Sequence, residues 1–99
     1  MLVITATFQA KPGREADLEA ALRALVTSVG AEVGVVDYAL HRSPDAAGTF
    51  FFYERYRDKA AFDHHLGTPH LAALLAVVPE LCTEAPVITN HERLVSIGS

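Results

Sequence analysis

Hydrophobic and polar residues are arranged along the chain in segments separated by turn residues. Apolar and β-branched residues predict strands at 2–9, 33–42, 49–56 and 86–95, the first of them buried on both faces. Apolar residues at helical spacing predict a helix over 14–29 and a second helix that starts at 58 and breaks at Gly67. It restarts with Thr68 as N-cap and Pro69 in the first position. The order β-α-β-β-α-β predicts a ferredoxin-like α+β fold, with helices on one face of an antiparallel sheet.

The predicted strands carry apolar residues on both faces, although the helices can cover only one. Val36, Tyr38 and Leu40 are expected on one face of strand 33–42. In the other strands, successive residues point to opposite faces and both faces are apolar. One face carries Ile4, Phe52 and Ile88, and the other carries Val3, Phe51, Tyr53 and Val87. An uncovered apolar face needs a partner, and self-association is the simplest one, so the pattern predicts a homodimer.

Composition narrows the classes of protein. The 99 residues, 51% of them hydrophobic, predict a single globular domain over 1–99. Eight basic and twelve acidic residues give a net charge of −4, which argues against nucleic-acid and anionic-membrane partners. The longest apolar run, 71–78, is too short to span a bilayer, and no signal peptide is evident. The single cysteine, Cys82, fits a reducing cytoplasm, where we expect the protein to reside.

Histidines are the first candidates for chemistry, because their side chains titrate near neutral pH. Helical geometry turns His65 inward with Phe62 and turns His64 toward solvent. His70 lies in the first turn of the next helix, where the positive end of the helix favours a neutral imidazole that can act as a base. Glu54 shares a strand face with Phe52, so we expect a partly buried carboxylate near His65 or His70.

Structural interpretations stand beside these catalytic ones. A buried Glu–His hydrogen bond can simply satisfy two polar groups, and for His65 and His70 we weigh this role equally. His41 and His91 are interpreted as structural, and Tyr38 and Tyr56 as core aromatics with one hydrogen bond each. No glycine-rich phosphate loop is present, so no nucleotide or flavin cofactor is expected. No metal site is expected either, because the spacing of the three clustered histidines is not a recognised one and His64 points away.

Two stretches of the chain resemble the antibiotic biosynthesis monooxygenase (ABM) family. One is the opening LVITATFQAKPGRE, and the other is FYERYRD followed by His65 and by Thr68-Pro69-His70. The most specific part is the strand glutamate followed by a short helix that ends in His-x-x-Thr-Pro-His. The resemblance covers nearly the whole chain. It implies a dimeric α+β barrel in which two ferredoxin-like sheets pack face to face.

The resemblance also implies a reaction: oxidation of a small phenol or quinol to a quinone by O2 without a cofactor, with the substrate as reductant. It assigns His65 and His70 as candidate bases and Glu54 as the residue that orients them. The candidate substrate-binding residues are Tyr38, Tyr56, Phe52 and Phe62. Haem degradation is not expected, because the first strand carries no Asn.

Two other functions remain open at this stage. The same segment resembles an isomerase that processes phosphorylated autoinducer-2, an acid–base reaction on a small hydroxy-ketone that the same Glu and His could serve. The third hypothesis is a domain that binds a small molecule without catalysing a reaction. A phosphorylated substrate needs a cationic clamp, but strand parity places Arg55 and Arg57 opposite Glu54. The aromatic strand 49–56 favours a flat apolar ligand instead.

Overall fold

Four strands and three helices make up the computed structural model, which describes residues 1–98. In chain order the elements are β1 (Leu2–Gln9), α1 (Glu15–Val29), β2 (Val35–Arg42), β3 (Thr49–Tyr56), α2 (Lys59–Leu66), α3 (Pro69–Leu81) and β4 (Val87–Glu92). The strands form one antiparallel sheet in the order β2-β3-β1-β4. This is the ferredoxin-like α+β topology, so the predicted fold is confirmed. Within the described residues, no helix is both long and apolar enough to cross a bilayer.

The core lies between one face of the sheet and the helices. Ala6 and Phe8 of β1 pair with Phe52 and Phe50 of β3, and all four are buried. The helices bury an apolar stripe against them: Leu18, Leu22, Leu25 and Val29 of α1, and Leu74, Val78 and Leu81 of α3. Spacings of three and four residues place each stripe on one side of its helix, as the sequence predicts.

The opposite face of the sheet is mixed rather than apolar throughout. Val3 and Phe51 point there, but Thr5, Thr7 and Arg55 share the face. The two threonines are only half buried, so the expectation that β1 is buried on both faces is wrong for this part of the strand. On this face, Phe51 and Val87 are the predicted apolar residues left exposed, at 36% and 60%, and Ile88, from the set on the other face, is also half exposed.

A β-bulge at the start of β2 corrects the predicted face pattern. Val35 pairs with Tyr56 and Asp37 with Arg55, which leaves Val36 as an extra residue. Val35 therefore packs on the core with Tyr38 and Leu40, while Val36 is half exposed. The last strand also ends earlier than predicted, at Glu92, because its partner there is Leu2, the first residue of β1.

Gly34 brings the entry of β2 into direct contact with α2. A Cβ at Gly34 would overlap the Cβ of Ala61, so only glycine fits between the two segments. The carbonyl of Gly34 also accepts a hydrogen bond from the amide of Arg57 at 3.0 Å. This close approach brings the segment that contains Glu32 against the helix that carries His65.

We expect Gly34→Ala to destabilise the protein by about 1–3 kcal/mol, because the added methyl group forces the packed segments apart. Gly67→Ala is the matched control, since a Cβ there meets nothing closer than the carbonyl oxygen of His64 at 3.7 Å. Urea unfolding of both variants measures the difference. Equal free energies of unfolding for the two variants would show that the contact at Gly34 does not constrain the fold.

Candidate active site

The junction between α2 and α3 places two histidines side by side. The side chain of Asp58 caps α2 by accepting a hydrogen bond from the amide of Ala61 at 2.9 Å. His65 lies in the last turn of α2 and is 2% exposed, while His64 is exposed, as predicted. Thr68 stands at the N-cap position of α3, but its hydroxyl donates to the carbonyl of His65 at 2.8 Å instead of capping the helix.

Glu32, from the segment between α1 and β2, receives both imidazoles. Nδ1 of His65 lies 3.0 Å from Oε2 of Glu32, and Nε2 of His70 lies 2.6 Å from the same oxygen. An ionised carboxylate can only accept hydrogen bonds, so both ring nitrogens donate their N–H. The side chains of Glu32 and His65 are almost fully buried, and that of His70 is 22% exposed.

Two opposing effects act on the Glu32 carboxyl. Burial alone would raise its pKa, but the hydrogen bonds from His70 and His65 outweigh that effect and hold the pKa below its usual value. Glu32 is therefore ionised at neutral pH, inside the protein, with two donors on it. A carboxylate that holds one nitrogen of an imidazole fixes which nitrogen carries the proton. In neutral His65 the proton is on Nδ1, and Nε2 is the acceptor.

This arrangement corrects the orienting role that sequence reasoning gave to Glu54. Glu54 is buried on the helix-facing side of β3, as expected, but its carboxylate accepts a hydrogen bond from the Tyr56 hydroxyl at 2.6 Å. Among the described residues it is Glu32 that holds His65 and His70. Glu32 was missed because it lies in a turn, outside any helical or strand periodicity. Glu32 and His65 are 33 residues apart in the sequence, so local patterns do not show that they are in contact.

Glu54 has the opposite electrostatic environment to Glu32. Burial raises its pKa to about 7, the Tyr56 hydroxyl partly offsets the rise, and the charge of Glu32 adds to it. Burial also raises the pKa values of Tyr38 and Tyr56 far above the ordinary one. Both phenols therefore keep their protons at neutral pH, and Glu54 is divided between its neutral and ionised forms.

An apolar cavity of about 120 Å³ lies between the sheet and helices α2 and α3. Three of its lining residues carry a polar group in the side chain: Tyr38, Glu54 and His65. The apolar lining residues are Ile4, Ala6, Phe8, Phe52, Phe62, Leu66, Leu71, Leu75, Pro86 and Ile88. A volume somewhat above 100 Å³ is the scale of a single aromatic ring. We call this space the inner cavity.

Of the predicted substrate-binding residues, Tyr38, Phe52 and Phe62 line the inner cavity and Tyr56 does not. Tyr56 is fully buried, and its ring packs against Phe62 with ring centroids 5.1 Å apart. Its contact with Glu54 makes it a support for the carboxylate rather than part of the wall. The Tyr38 hydroxyl lies 3.4 Å from Nε2 of His65. Because Tyr38 lines the inner cavity, this contact places the acceptor nitrogen of His65 on the cavity side of its ring.

A second, open cleft of about 910 Å³ lies on the other side of the histidines. Glu32, His64 and His70 line it, whereas His65 lines the inner cavity. We call this space the outer cleft. The two candidate bases therefore border different spaces. His65 borders the inner cavity, His70 borders the outer cleft, and Glu32 is hydrogen-bonded to both.

Glu32, His65 and His70 are also the described residues that could hold a metal ion. One ligand atom from each lies within 4.8 Å of the other two. From the sequence, His64 is the third donor beside His65 and His70, which predicts no metal site; in the structure Glu32 takes that position instead. The remaining histidines contact strand residues: His41 the carbonyl of Phe51 at 3.2 Å, and His91 the hydroxyl of Thr5 at 3.0 Å.

Comparisons with known proteins agree with this fold and place the chain in a family. A profile described as "Antibiotic biosynthesis monooxygenase" matches residues 1–77. "Putative monooxygenase Rv0793" of Mycobacterium tuberculosis is 36% identical over 88 residues, which are 89% of this chain and 86% of that protein. The structure of Rv0793 superposes with a TM-score of 0.91 at 34% identity and covers 98% of both chains. That of PA3566 from Pseudomonas aeruginosa gives 0.89 at 34% identity, covering 95% of this chain and 94% of the other.

The two superposed structures cover nearly the whole chain, whereas the profile ends at residue 77, before β4. The ferredoxin-like α+β architecture and the profile match define the class: a small α+β domain of the monooxygenase type. The chain belongs to the antibiotic biosynthesis monooxygenase family, and the resemblance noted from its sequence is confirmed.

The raised pKa of Glu54 gives a testable pH dependence of stability. Because the folded-state pKa is about 7 and the ordinary value is 4.5, the folded protein holds a proton that the unfolded chain loses between these two values. The contribution of Glu54 to the free energy of unfolding is therefore most favourable below the lower value. It declines as the pH rises to the upper one, by about 3 kcal/mol in total.

Glu54→Gln should remove this decline, because the amide does not titrate. Urea unfolding at about pH 5 and about pH 8 measures the change for the parent and the variant. Glu84→Gln, at an exposed position, is the control and should keep the parent behaviour. If Glu54→Gln loses as much stability as the parent between the two pH values, burial of Glu54 does not raise its pKa.

Proposed function

We propose that the protein oxidises a small phenol or quinol to a quinone with O2, without flavin, haem or metal taking part. One observation carries the proposal: a buried carboxylate–imidazole pair, Glu32 and His65, stands at the wall of an apolar cavity of one-ring size. An imidazole oriented by a carboxylate is a recurring general base. Membership of a monooxygenase family supports the reaction class.

The residues divide the proton transfers between them. Nε2 of His65 accepts the phenolic proton, and the phenolate then transfers an electron to O2. Recombination of the two radicals forms a C–O bond and a ring peroxide, which takes a proton from neutral Glu54. The O–O bond then breaks as ionised Glu54 takes the ring C–H proton, and the hydroxide that leaves takes the proton held on Nε2 of His65. One oxygen atom stays in the quinone, the other departs as water, and the substrate supplies all the electrons.

The surroundings of the inner cavity suit these steps. Aromatic walls, with Tyr38 and Phe52 centroids 4.8 Å apart, match a flat ring. Two carboxyls with pKa values shifted in opposite directions give one group that stays ionised and one that can donate a proton. Tyr38, which keeps its proton, can donate a hydrogen bond to the oxygen on which charge develops.

The isomerase of a phosphorylated hydroxy-ketone is supported less well. A phosphate group calls for cationic donors, and the lining of the inner cavity contains no Lys or Arg among the described residues. Arg55 lies on the opposite face of the sheet, 3.6 Å from Asp37. Arg57 lines the outer cleft and pairs with Asp58 at 3.9 Å.

Oxygen uptake with a panel of one-ring and two-ring phenols and quinols tests the proposal. We expect consumption of O2 in a one-to-one ratio with quinone formed, by a purified protein whose visible spectrum shows no flavin or haem band. Conversion of a hydroxy-ketone without O2 uptake would favour the isomerase. Saturable binding of a quinol with no turnover would favour the binding-domain alternative.

His65→Ala should lower kcat by about 10²–10⁴-fold, the usual contribution of one acid–base residue. Glu32→Gln should cause a loss of similar size, because an amide can donate to Nδ1 and stabilise the wrong tautomer. His64→Ala is the matched control, since that side chain is exposed and outside the inner cavity. Urea unfolding in parallel separates lost catalysis from lost stability. A folded His65→Ala variant with the parent kcat would remove His65 as the base.

We further propose that the enzyme is a homodimer that pairs the exposed face of the sheet. The support is the set of apolar side chains left uncovered on and beyond that face, with Phe51 and Val87 in the sheet and Leu94, Val95 and Ile97 after it. Specific interfaces commonly bury about 800 Å² on each partner.

Sedimentation equilibrium at micromolar concentration should give twice the mass of one chain, and Phe51→Asp should shift the population toward monomer. Val33→Asp adds the same charge at an exposed position outside the sheet and should leave the dimer intact. A parent protein with the mass of one chain would contradict the dimer.

A further inference from the structure

We propose that Glu32, His65 and His70 form a binding site for a divalent transition-metal ion of the zinc and cobalt type. The proposal goes beyond the proposed function, in which no metal takes part. It rests on the identity, separation and accessibility of three donor groups that fold together from two distant parts of the chain.

The donor set is the one that such ions prefer. Two imidazole nitrogens and one carboxylate oxygen are the protein ligands of many three-ligand zinc sites, with water as the fourth ligand. The three donor atoms lie within 4.8 Å of one another. Calcium and magnesium are disfavoured, because both prefer sites made of oxygen ligands.

The separations need only a small adjustment to accept an ion. Metal–ligand bonds of about 2.0–2.2 Å at a tetrahedral angle place donor atoms about 3.3–3.6 Å apart. Here Oε2 of Glu32 lies 3.0 Å from Nδ1 of His65 and 2.6 Å from Nε2 of His70. An ion would replace the two shared protons and widen these two separations by less than about 1 Å. The two ring nitrogens lie within 4.8 Å of each other and would settle at a similar spacing.

The outer cleft gives the ion a path and a place for its water ligand. Glu32 and His70 line the cleft, and His70 is the partly exposed member of the three. Asp58 and Asp63 also line it, and each is paired with a basic side chain, Arg57 and Lys59. On the inner side, the Tyr38 hydroxyl at 3.4 Å from Nε2 of His65 supplies the outer-shell contact that orients a metal-bound imidazole.

Metal binding would have a consequence for the proposed reaction. An ion on Nδ1 of His65 takes that lone pair, so the neutral ring carries its proton on Nε2. A protonated Nε2 cannot accept the phenolic proton. If His65 is the base, as proposed above, zinc should inhibit turnover by occupying this site.

Titration calorimetry on the chelator-treated full-length protein tests the site with Zn²⁺ alone, and Co²⁺ gives an absorption spectrum that reports its coordination. We expect one ion per chain and the visible bands of four-coordinate Co²⁺. His70→Ala and Glu32→Gln should each weaken Zn²⁺ binding by about 100-fold or more, above the usual cost of losing an outer-shell partner. His64→Ala, which removes a neighbouring exposed histidine on the same cleft, should bind as the parent does.

Each other outcome overturns the site. Absence of Zn²⁺ binding to the folded parent, or equal binding by the parent and Glu32→Gln, excludes Glu32 as a ligand. Loss of binding in His64→Ala would place the ion on surface histidines. Since Glu32→Gln keeps the shape of the side chain, it guards against misreading an unfolded variant. The calorimetry and the Co²⁺ spectrum do not require turnover, so they stand even if no quinol is oxidised.

Discussion

The site is organised by one buried carboxylate, Glu32, which accepts hydrogen bonds from two imidazoles on a single oxygen. A buried charge is costly unless it is hydrogen-bonded, and here two N–H donors replace the lost water. The same bonds fix the orientation of His65 and leave Nε2 toward the inner cavity. Without Glu32, His65 would be a buried histidine without a defined acceptor nitrogen.

Several local features of the chain bring Glu32 and His65 together. Gly34 lets the entry of β2 pack directly on α2, and Asp58 fixes where α2 begins. The break at Gly67 starts a new helix, so His70 returns to the same carboxylate five residues after His65. Strand β3 then places Glu54 in the wall of the inner cavity. There, burial raises the pKa of Glu54 to about 7, so its carboxyl is about half protonated at neutral pH. One carboxylate stays ionised and the other can hold a proton, a division set by environment.

Periodic features were predictable from sequence, and contacts between distant turns were not. Alternation and helical spacing correctly predicted the strand and helix order, the inward His65 and the outward His64, because each depends only on local geometry. The bulge at Val36 broke the alternation of β2 and was not visible in the pattern. Glu32 lies outside any helix or strand, so no alternation or helical spacing indicates that it is buried. The strand pattern does predict a buried carboxylate at Glu54, and the role of orienting the histidines was therefore assigned to Glu54.

The orientation of His65 is the central claim, and nitrogen NMR of its imidazole ring tests it most directly. In the parent protein the account predicts that the neutral ring carries its proton on Nδ1, hydrogen-bonded to Glu32, and leaves Nε2 unprotonated. Glu32→Gln should lose this fixed tautomer, while the exposed His64 ring should give the same spectrum in both proteins. A His65 ring protonated on Nε2 in the parent protein would contradict the account, because no acceptor nitrogen would then face the inner cavity.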